Sequence, residues 1–292
     1  MGMAVLLQIL LAGASQGEES PAWEVQPNVV YAVEDGVGSI LDVFRPTAGP
    51  NGLGVIVVHS GGWYCNQAVY DAFMRARIFD IFCERGYTVF LVRPGARPRY
   101  TGEEMVRNLK KSVRWVRLHS TEYGIDPDCL GLIGGSAGGH LALMAAVTEE
   151  PGNPDAENPL ERQSTQVKAV GAFFPPTDIV DWNGEPDGYL KLTDLLSRGG
   201  TESLSPEETR KRAEAISPCR HVKAPTPPML LIHGDADPLV PLEQSRKMLE
   251  AVRQSGGEIE LIVKEGGEHS WPTLHEEVAV MADWFDRKLR KN

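Results

Sequence analysis

Residues 130–143 read LGLIGGSAGGHLAL: a short apolar run, a burst of small residues around one serine, then a second apolar run. A brief apolar stretch ended by glycine suits a buried strand, and the small, leucine-bearing stretch beyond it suits a helix. Between them, Gly134-Gly135-Ser136-Ala137-Gly138 fits G-x-S-x-G, whose expected context is a strand before and a helix after. The chemistry accounts for the glycines. A serine at the tip of a sharp strand-to-helix turn is held in a strained backbone conformation, and neighbours without Cβ atoms let strand and helix approach closely. Its hydroxyl then stands at a helix N-terminus, where the amide of Ala137 and the helix dipole stabilise negative charge. The competing readings are a tight turn and a phosphate-cradling loop, but neither a Walker lysine nor G-x-G-x-x-G accompanies the serine.

Working outward, VIVV (55–58), TVFLV (88–92), VKAVGAF (167–173), MLLI (229–232) and EIELIV (258–263) are further short apolar runs, as expected of strands covered on both faces. Amphipathic stretches at 70–85, 102–120, 139–148, 243–255 and 273–290 separate them. Strands alternating with helices imply an α/β fold with a mostly parallel central sheet and helices on both faces. Before this pattern starts, VVYAV and SILDVF flank the turn-rich EDGVG and read as an antiparallel pair at a sheet edge. Two segments break the rhythm. Residues 149–164, rich in Pro and Asn, read as a surface loop, and residues 175–222 are too long for a simple connection. The latter is expected to form a small cap over the carboxyl ends of the strands, where open α/β sheets bind ligands.

A serine hydroxyl is a poor nucleophile until a base takes its proton, so the reading calls for an acid and a histidine further along, in the order Ser, Asp or Glu, His. Of seven histidines, only His269 and His275 follow the strand 258–263. His269 lies in the glycine-rich loop KEGGEHSW and is the candidate base; His275 falls within the C-terminal amphipathic helix and reads as a surface residue. For the acid, MLLIHGDADPLVP offers Asp235 and Asp237. Asp237, nearer the loop tip, is preferred, with Asp235 a turn residue holding backbone amides and Asp178, after another strand, in reserve. A second oxyanion donor is expected from the loop after an early strand, and VIVVHSGGWY supplies Gly61 and Gly62, with Trp63 walling the acyl pocket.

Taken together, HSGGW, SVRWVRLHSTEYGIDPDCLGLIGGSAGGHLAL, HGDADPLVP and GGEHSW resemble the α/β-hydrolase superfamily, in its esterase branch related to hormone-sensitive lipase and to acetyl and feruloyl esterases. The likeness runs over roughly residues 28–290. It implies an α/β-hydrolase fold in which Ser136 is the nucleophile, Asp237 the orienting acid, His269 the base, and Gly61, Gly62 and Ala137 the oxyanion donors. Two departures stand out. Ser60 replaces a glycine common in that branch, which moves the candidate donor toward the amide of Trp63, and LVRPGARPRY replaces the more usual Tyr-Arg-Leu stretch.

The expected activity is that of a serine carboxylesterase acting on small or carbohydrate-linked esters, with no cofactor and no metal. An amidase, arylformamidase or peptidase on the same three residues is the alternative, although the peptidases carry an aromatic residue where Ala137 sits and a propeller domain for which this chain is too short. A non-catalytic binding protein on the same scaffold would be marked by a broken triad. The 292-residue chain is 42% hydrophobic with a formal net charge of −11, its acidic and basic residues interspersed, which argues against nucleic-acid or anionic-membrane partners. Residues 1–20 read as a secretory signal peptide or a disordered leader: an apolar run from Ala4 to Ala12 with small residues near Ala14, but no Lys or Arg before it. The expectation is a secreted or periplasmic domain over 21–292, with a cytoplasmic one as the alternative. Trp182 and Tyr189 in the cap are candidate substrate contacts. Cys65, Cys83, Cys129 and Cys219 have no metal-like spacing and fit either disulfides or thiols. The sequence carries no signal for the oligomeric state.

Overall fold

Within Gly54–Val58 every residue is buried, and alternate side chains leave the strand on opposite faces: Val55 and Val57 join one apolar cluster, Ile56 and Val58 another. That period of two, on a strand covered from both sides, organises the molecule. A computed structural model describes residues 21–182, 185–186, 192–200 and 204–290. In chain order the elements are β1 (Trp23–Glu34), β2 (Val37–Pro46), β3 (Gly54–Val58), α1 (Gln67–Arg75), α2 (Ile78–Glu84), β4 (Thr88–Val92), α3 (Gly102–Leu118), β5 (Leu130–Gly135), α4 (Ala137–Val147), β6 (Ala169–Phe173), β7 (Asp181–Trp182), β8 (Glu185–Pro186), α5 (Thr193–Leu196), α6 (Pro206–Ala215), β9 (Met229–Gly234), α7 (Glu243–Gln254), β10 (Ile259–Lys264) and α8 (Leu274–Leu289).

Eight strands form one sheet in the order β1-β2-β4-β3-β5-β6-β9-β10. The pairs from β4 to β10 are parallel, and β2 runs antiparallel to both neighbours. One apolar layer joins the sheet to α3, α4 and α7, the other to α2 and α8. This is the mostly parallel α/β sheet, with helices on both faces, that the strand and helix pattern leads one to expect, and the architecture that the resemblance implies. Within segment 175–222 lie β7, β8, α5 and α6, where Ser205 and Glu208 form a reciprocal capping box that starts α6 at Pro206.

Two expectations change, and the state of the cysteines, left open by the sequence, is decided. The amphipathic stretch 70–85 is two helices, because Arg77 adopts a left-handed backbone, φ 54°, between α1 and α2. Strand β10 is not covered on both faces: as an edge strand it leaves Val263 44% exposed. No disulfide joins any of the four cysteines; burial pushes the Cys65 thiol up to about 11 and the Cys83 and Cys219 thiols to about 12. Residues 1–20 and Tyr189 lie outside the described residues. Among the described residues no helix is long and apolar enough to cross a membrane.

Candidate active site

Ser136 links β5 directly to α4 with φ 51° and ψ −123°, a conformation an L-residue adopts only when its surroundings impose it. Its N–H donates to Phe173 O at 2.9 Å, and its carbonyl accepts from His140 N–H at 2.9 Å. The flanking glycines are required by space. A Cβ on Gly134 would lie 2.3 Å from the carbonyl carbon of Gly138, and one on Gly138 would lie 2.7 Å from Val58 O. Gly134→Ala is therefore expected to lower stability by about 3 kcal/mol, the upper end for overpacking, because the obstacle is backbone that no rotamer change can clear. Chemical denaturation measures this, and a loss below about 1 kcal/mol would show that strand and helix can separate.

The structure brings together Ser136 from the β5–α4 junction, Asp237 from the loop after β9 and His269 from the loop after β10. Ser136 Oγ lies 2.8 Å from His269 Nε2, and His269 Nδ1 lies 2.8 Å from Asp237 Oδ2. Because the carboxylate can only accept, Nδ1 carries the proton and Nε2 is left to accept from the hydroxyl. Asp237 is held from both sides. Its Oδ1 accepts the Leu239 and Val240 amides at 2.8 and 2.9 Å, and His233 Nε2 stands 3.3 Å from Oδ2. Burial raises the cost of its charge, but hydrogen bonds from His233, His269 and Val240 outweigh it and hold the carboxyl well below the usual carboxylate range. Asp235 accepts the Gly266 amide at 2.7 Å and so tethers the loop that carries His269. Asp178, the reserve acid, is instead paired with Arg220 at 2.9 Å, a contact that ties together the two ends of segment 175–222.

The oxyanion loop alters one expectation. Gly61 N–H donates to Tyr64 O at 3.0 Å, and Tyr64 N–H returns a bond to Gly61 O at 2.9 Å, closing a two-residue turn. The Gly61 amide is thus occupied, and the candidates are the central amides of Gly62 and Trp63, which donate to nothing among the described residues. The Ala137 amide, at the first position of α4, is likewise without a partner, as helix N-termini leave it. Ser60 ties the loop to the nucleophile turn by accepting Gly138 N–H at 3.0 Å through its carbonyl; its hydroxyl is buried and has no partner among the described residues.

Trp63 is a strained residue too, with φ 63°. Its indole N–H donates to His140 Nδ1 at 3.1 Å, and His140 Nε2 faces Ile216 O at 2.6 Å. Only the neutral Nε2–H tautomer serves both partners, and burial pushes this imidazole down to about 4 despite the Ile216 carbonyl, which favours the charged form. Between pH 6.5 and about 4 the unfolded chain takes up a proton here that the folded chain refuses, so stability falls as pH drops through that window, by about 3 kcal/mol at its foot. His140→Gln removes this titration. Denaturant melts at neutral pH and near pH 4 should show a smaller pH loss in the variant than in the parent; equal losses would assign the acid sensitivity elsewhere.

The three hydrogen-bonded side chains open on a cavity of about 1160 Å³. Trp63 and Trp182 both line it, the latter with its indole donating to Leu239 O at 3.3 Å. The sequence reading missed several other walls: Val69 and Phe73 on α1, Phe174, and Trp271 beyond His269. Phe174 has φ 37° and holds its ring 4.7 Å from that of His269, tilted by 52°, so strained residues (Trp63, Ser136, Phe174) gather around one cavity. The spacing of Val69, Ala72, Phe73 and Ala76 was the available signal, an apolar stripe at i, i+3, i+4 and i+7 directly after the oxyanion loop.

The strand order, with β2 reversed and a serine at positive φ directly after β5, defines a member of the α/β-hydrolase superfamily. The chain belongs to the BD-FAE family, whose model matches residues 41–252. A truncated carbohydrate esterase from gut microbiota has a similar structure, with a TM-score of 0.78 at 25% identity, covering 94% of this chain and 100% of that one. A thermophilic esterase of the Planctomycetes species Thermogutta terrifontis, with propionate bound, gives 0.66 at 28% identity, covering 91% and 93%. In sequence, Probable carboxylic ester hydrolase LipM of Mycobacterium tuberculosis is 32% identical over 172 residues, 59% of this chain and 38% of LipM. Against two further esterases of that organism, LipQ and LipC, the chain spans about half of their length, 50% and 53%.

Proposed function

We propose that the protein is a serine carboxylesterase that works through an acyl-enzyme, with small or carbohydrate-linked esters as its substrate class. The observation that carries this reading is the unbroken series from Ser136 Oγ to His269 Nε2 and from His269 Nδ1 to Asp237 Oδ2, each step 2.8 Å, facing an open cavity. His269 Nε2 takes the Ser136 proton as Oγ bonds to the ester carbonyl carbon. The amides of Gly62 and Ala137 hold the resulting oxyanion, with Trp63 as the neighbouring donor. The same Nε2 proton then passes to the leaving alcohol as its bond to carbon breaks, and a water molecule repeats the cycle to release the acid. Asp237 keeps the imidazole in the accepting tautomer and stabilises the imidazolium. The likeness to a carbohydrate esterase supports a saccharide ester, and the leader-like residues 4–12 fit export to the periplasm or beyond.

A fluorophosphonate probe tests the nucleophile directly: the parent should label and Ser136→Ala should not. Aryl acetates, formyl amides and peptidyl amides assayed side by side decide between ester and amide, and an excess of amide turnover would replace the esterase reading with the amidase one.

A further inference from the structure

One part of the cavity lining, the arm, comes from α1 and the start of α8. Its floor is Ile78, Ile133, Phe173 and Val278, each less than 10% exposed and all apolar. Its wall is α1, a nine-residue helix that buries none of its own residues although Val69, Ala72 and Phe73 form a continuous apolar stripe along it. A helix normally turns such a stripe into the core; here it faces the cavity. The arm also begins at the reaction centre. Val69 packs so closely on the oxyanion loop that a Cβ on Gly61 would lie 2.6 Å from it, and Phe173 accepts the Ser136 amide. Arg75, the one charged side chain along this wall among the described residues, sits at the exposed end of α1.

We infer that this arm is a subsite for the acyl group of the substrate, and that the group it takes is an aliphatic chain of medium length. The inference rests on the esterase reading and narrows its substrate. A saccharide placed here would give up the hydration of its hydroxyls to a lining that returns almost no hydrogen bonds. The alcohol must also leave, and water must arrive, while the acyl group is still bonded to Ser136. An apolar arm closed at its floor therefore suits the group that stays, and His269, 23% exposed, faces the route by which the alcohol departs.

The test is a series of p-nitrophenyl esters from acetyl to hexanoyl, with kcat/KM measured on the parent protein and on Ala72→Phe. Full burial of a methylene is worth about fourfold, so even if burial of the four added methylenes is only partial the hexanoyl ester should exceed the acetyl ester by about tenfold or more. Ala72 is exposed on α1, so a phenylalanine there does not overfill the core, and it projects into the arm. It should reduce the hexanoyl-to-acetyl ratio at least about tenfold. A flat or falling series in the parent overturns the subsite while leaving Ser136-dependent hydrolysis, and so the esterase reading, in place; failure of fluorophosphonate labelling removes the esterase reading itself. A parallel series of acetates with lengthening alcohols should be nearly flat, and a steep dependence there instead of in the acyl series would overturn the acyl assignment.

Discussion

Replacing Ser136 with alanine should lower kcat for an aryl acetate by about 10⁵- to 10⁶-fold, while the folded state survives, as removal of a nucleophile acting in one unit with its base typically does. The side chain lost is a single hydroxyl whose one hydrogen bond is to His269 Nε2. The backbone at this position is strained, and alanine carries the same Cβ as serine, so the φ of 51° is no harder to hold. Stability should shift by less than about 0.5 kcal/mol, the range of substitutions that touch no structural feature. The two readouts together discriminate. Turnover lost with an unchanged melt identifies a nucleophile, and turnover retained within tenfold would mean that another group attacks the carbonyl.

Much of this site could be read from residues whose type is dictated by local backbone demands. Gly134 has to be glycine because β5 passes within contact of α4, and Gly138 because α4 passes within contact of the end of β3, and those demands leave a written trace around Ser136. His269 and Asp237 were legible through their place in the chain, each in a loop directly after a strand of the parallel sheet, β10 and β9, whose ends meet above the nucleophile. What failed to show has a common cause: it depends on contacts between distant segments. Nothing in HSGGWY announces that Gly61 pairs with Tyr64 and so withdraws its amide. The break at Arg77 carries no glycine or proline; α2 buries Ile78, Phe79, Ile81 and Phe82 while α1 buries none of its residues, so the split follows from the different surroundings of the two helices. His140 read only as the start of a helix, because its partners are 77 residues before it and 76 after it. The acyl arm was hidden in the same way, since an apolar stripe looks identical whether protein or substrate covers it.

Asp237→Asn is the sharper test of how the three side chains work together, and its kcat should fall by about 10⁴-fold with KM changed by only a few-fold. The amide is nearly the size of the carboxylate, and its oxygen can keep the Leu239 and Val240 amides at 2.8 and 2.9 Å. That orientation turns the new NH₂ toward His269 Nδ1, where the parent offers an acceptor. Donor cannot face donor, so the imidazole gives up its Nδ1 proton and carries one on Nε2 instead, presenting N–H to Ser136 where a lone pair is needed. The base is present, correctly placed and in the wrong tautomer. His233 does not decide the orientation: its Nε2 lies 3.3 Å from Oδ2 and its proton is engaged by Val240 O at 2.8 Å, so the two backbone amides on Oδ1 set how the new amide is turned. Fluorophosphonate labelling should slow in step with turnover, because both need the Ser136 proton removed. A variant that keeps kcat within about tenfold of the parent would show that Asp237 does not set the tautomer, and the acid of this site would have to be sought elsewhere.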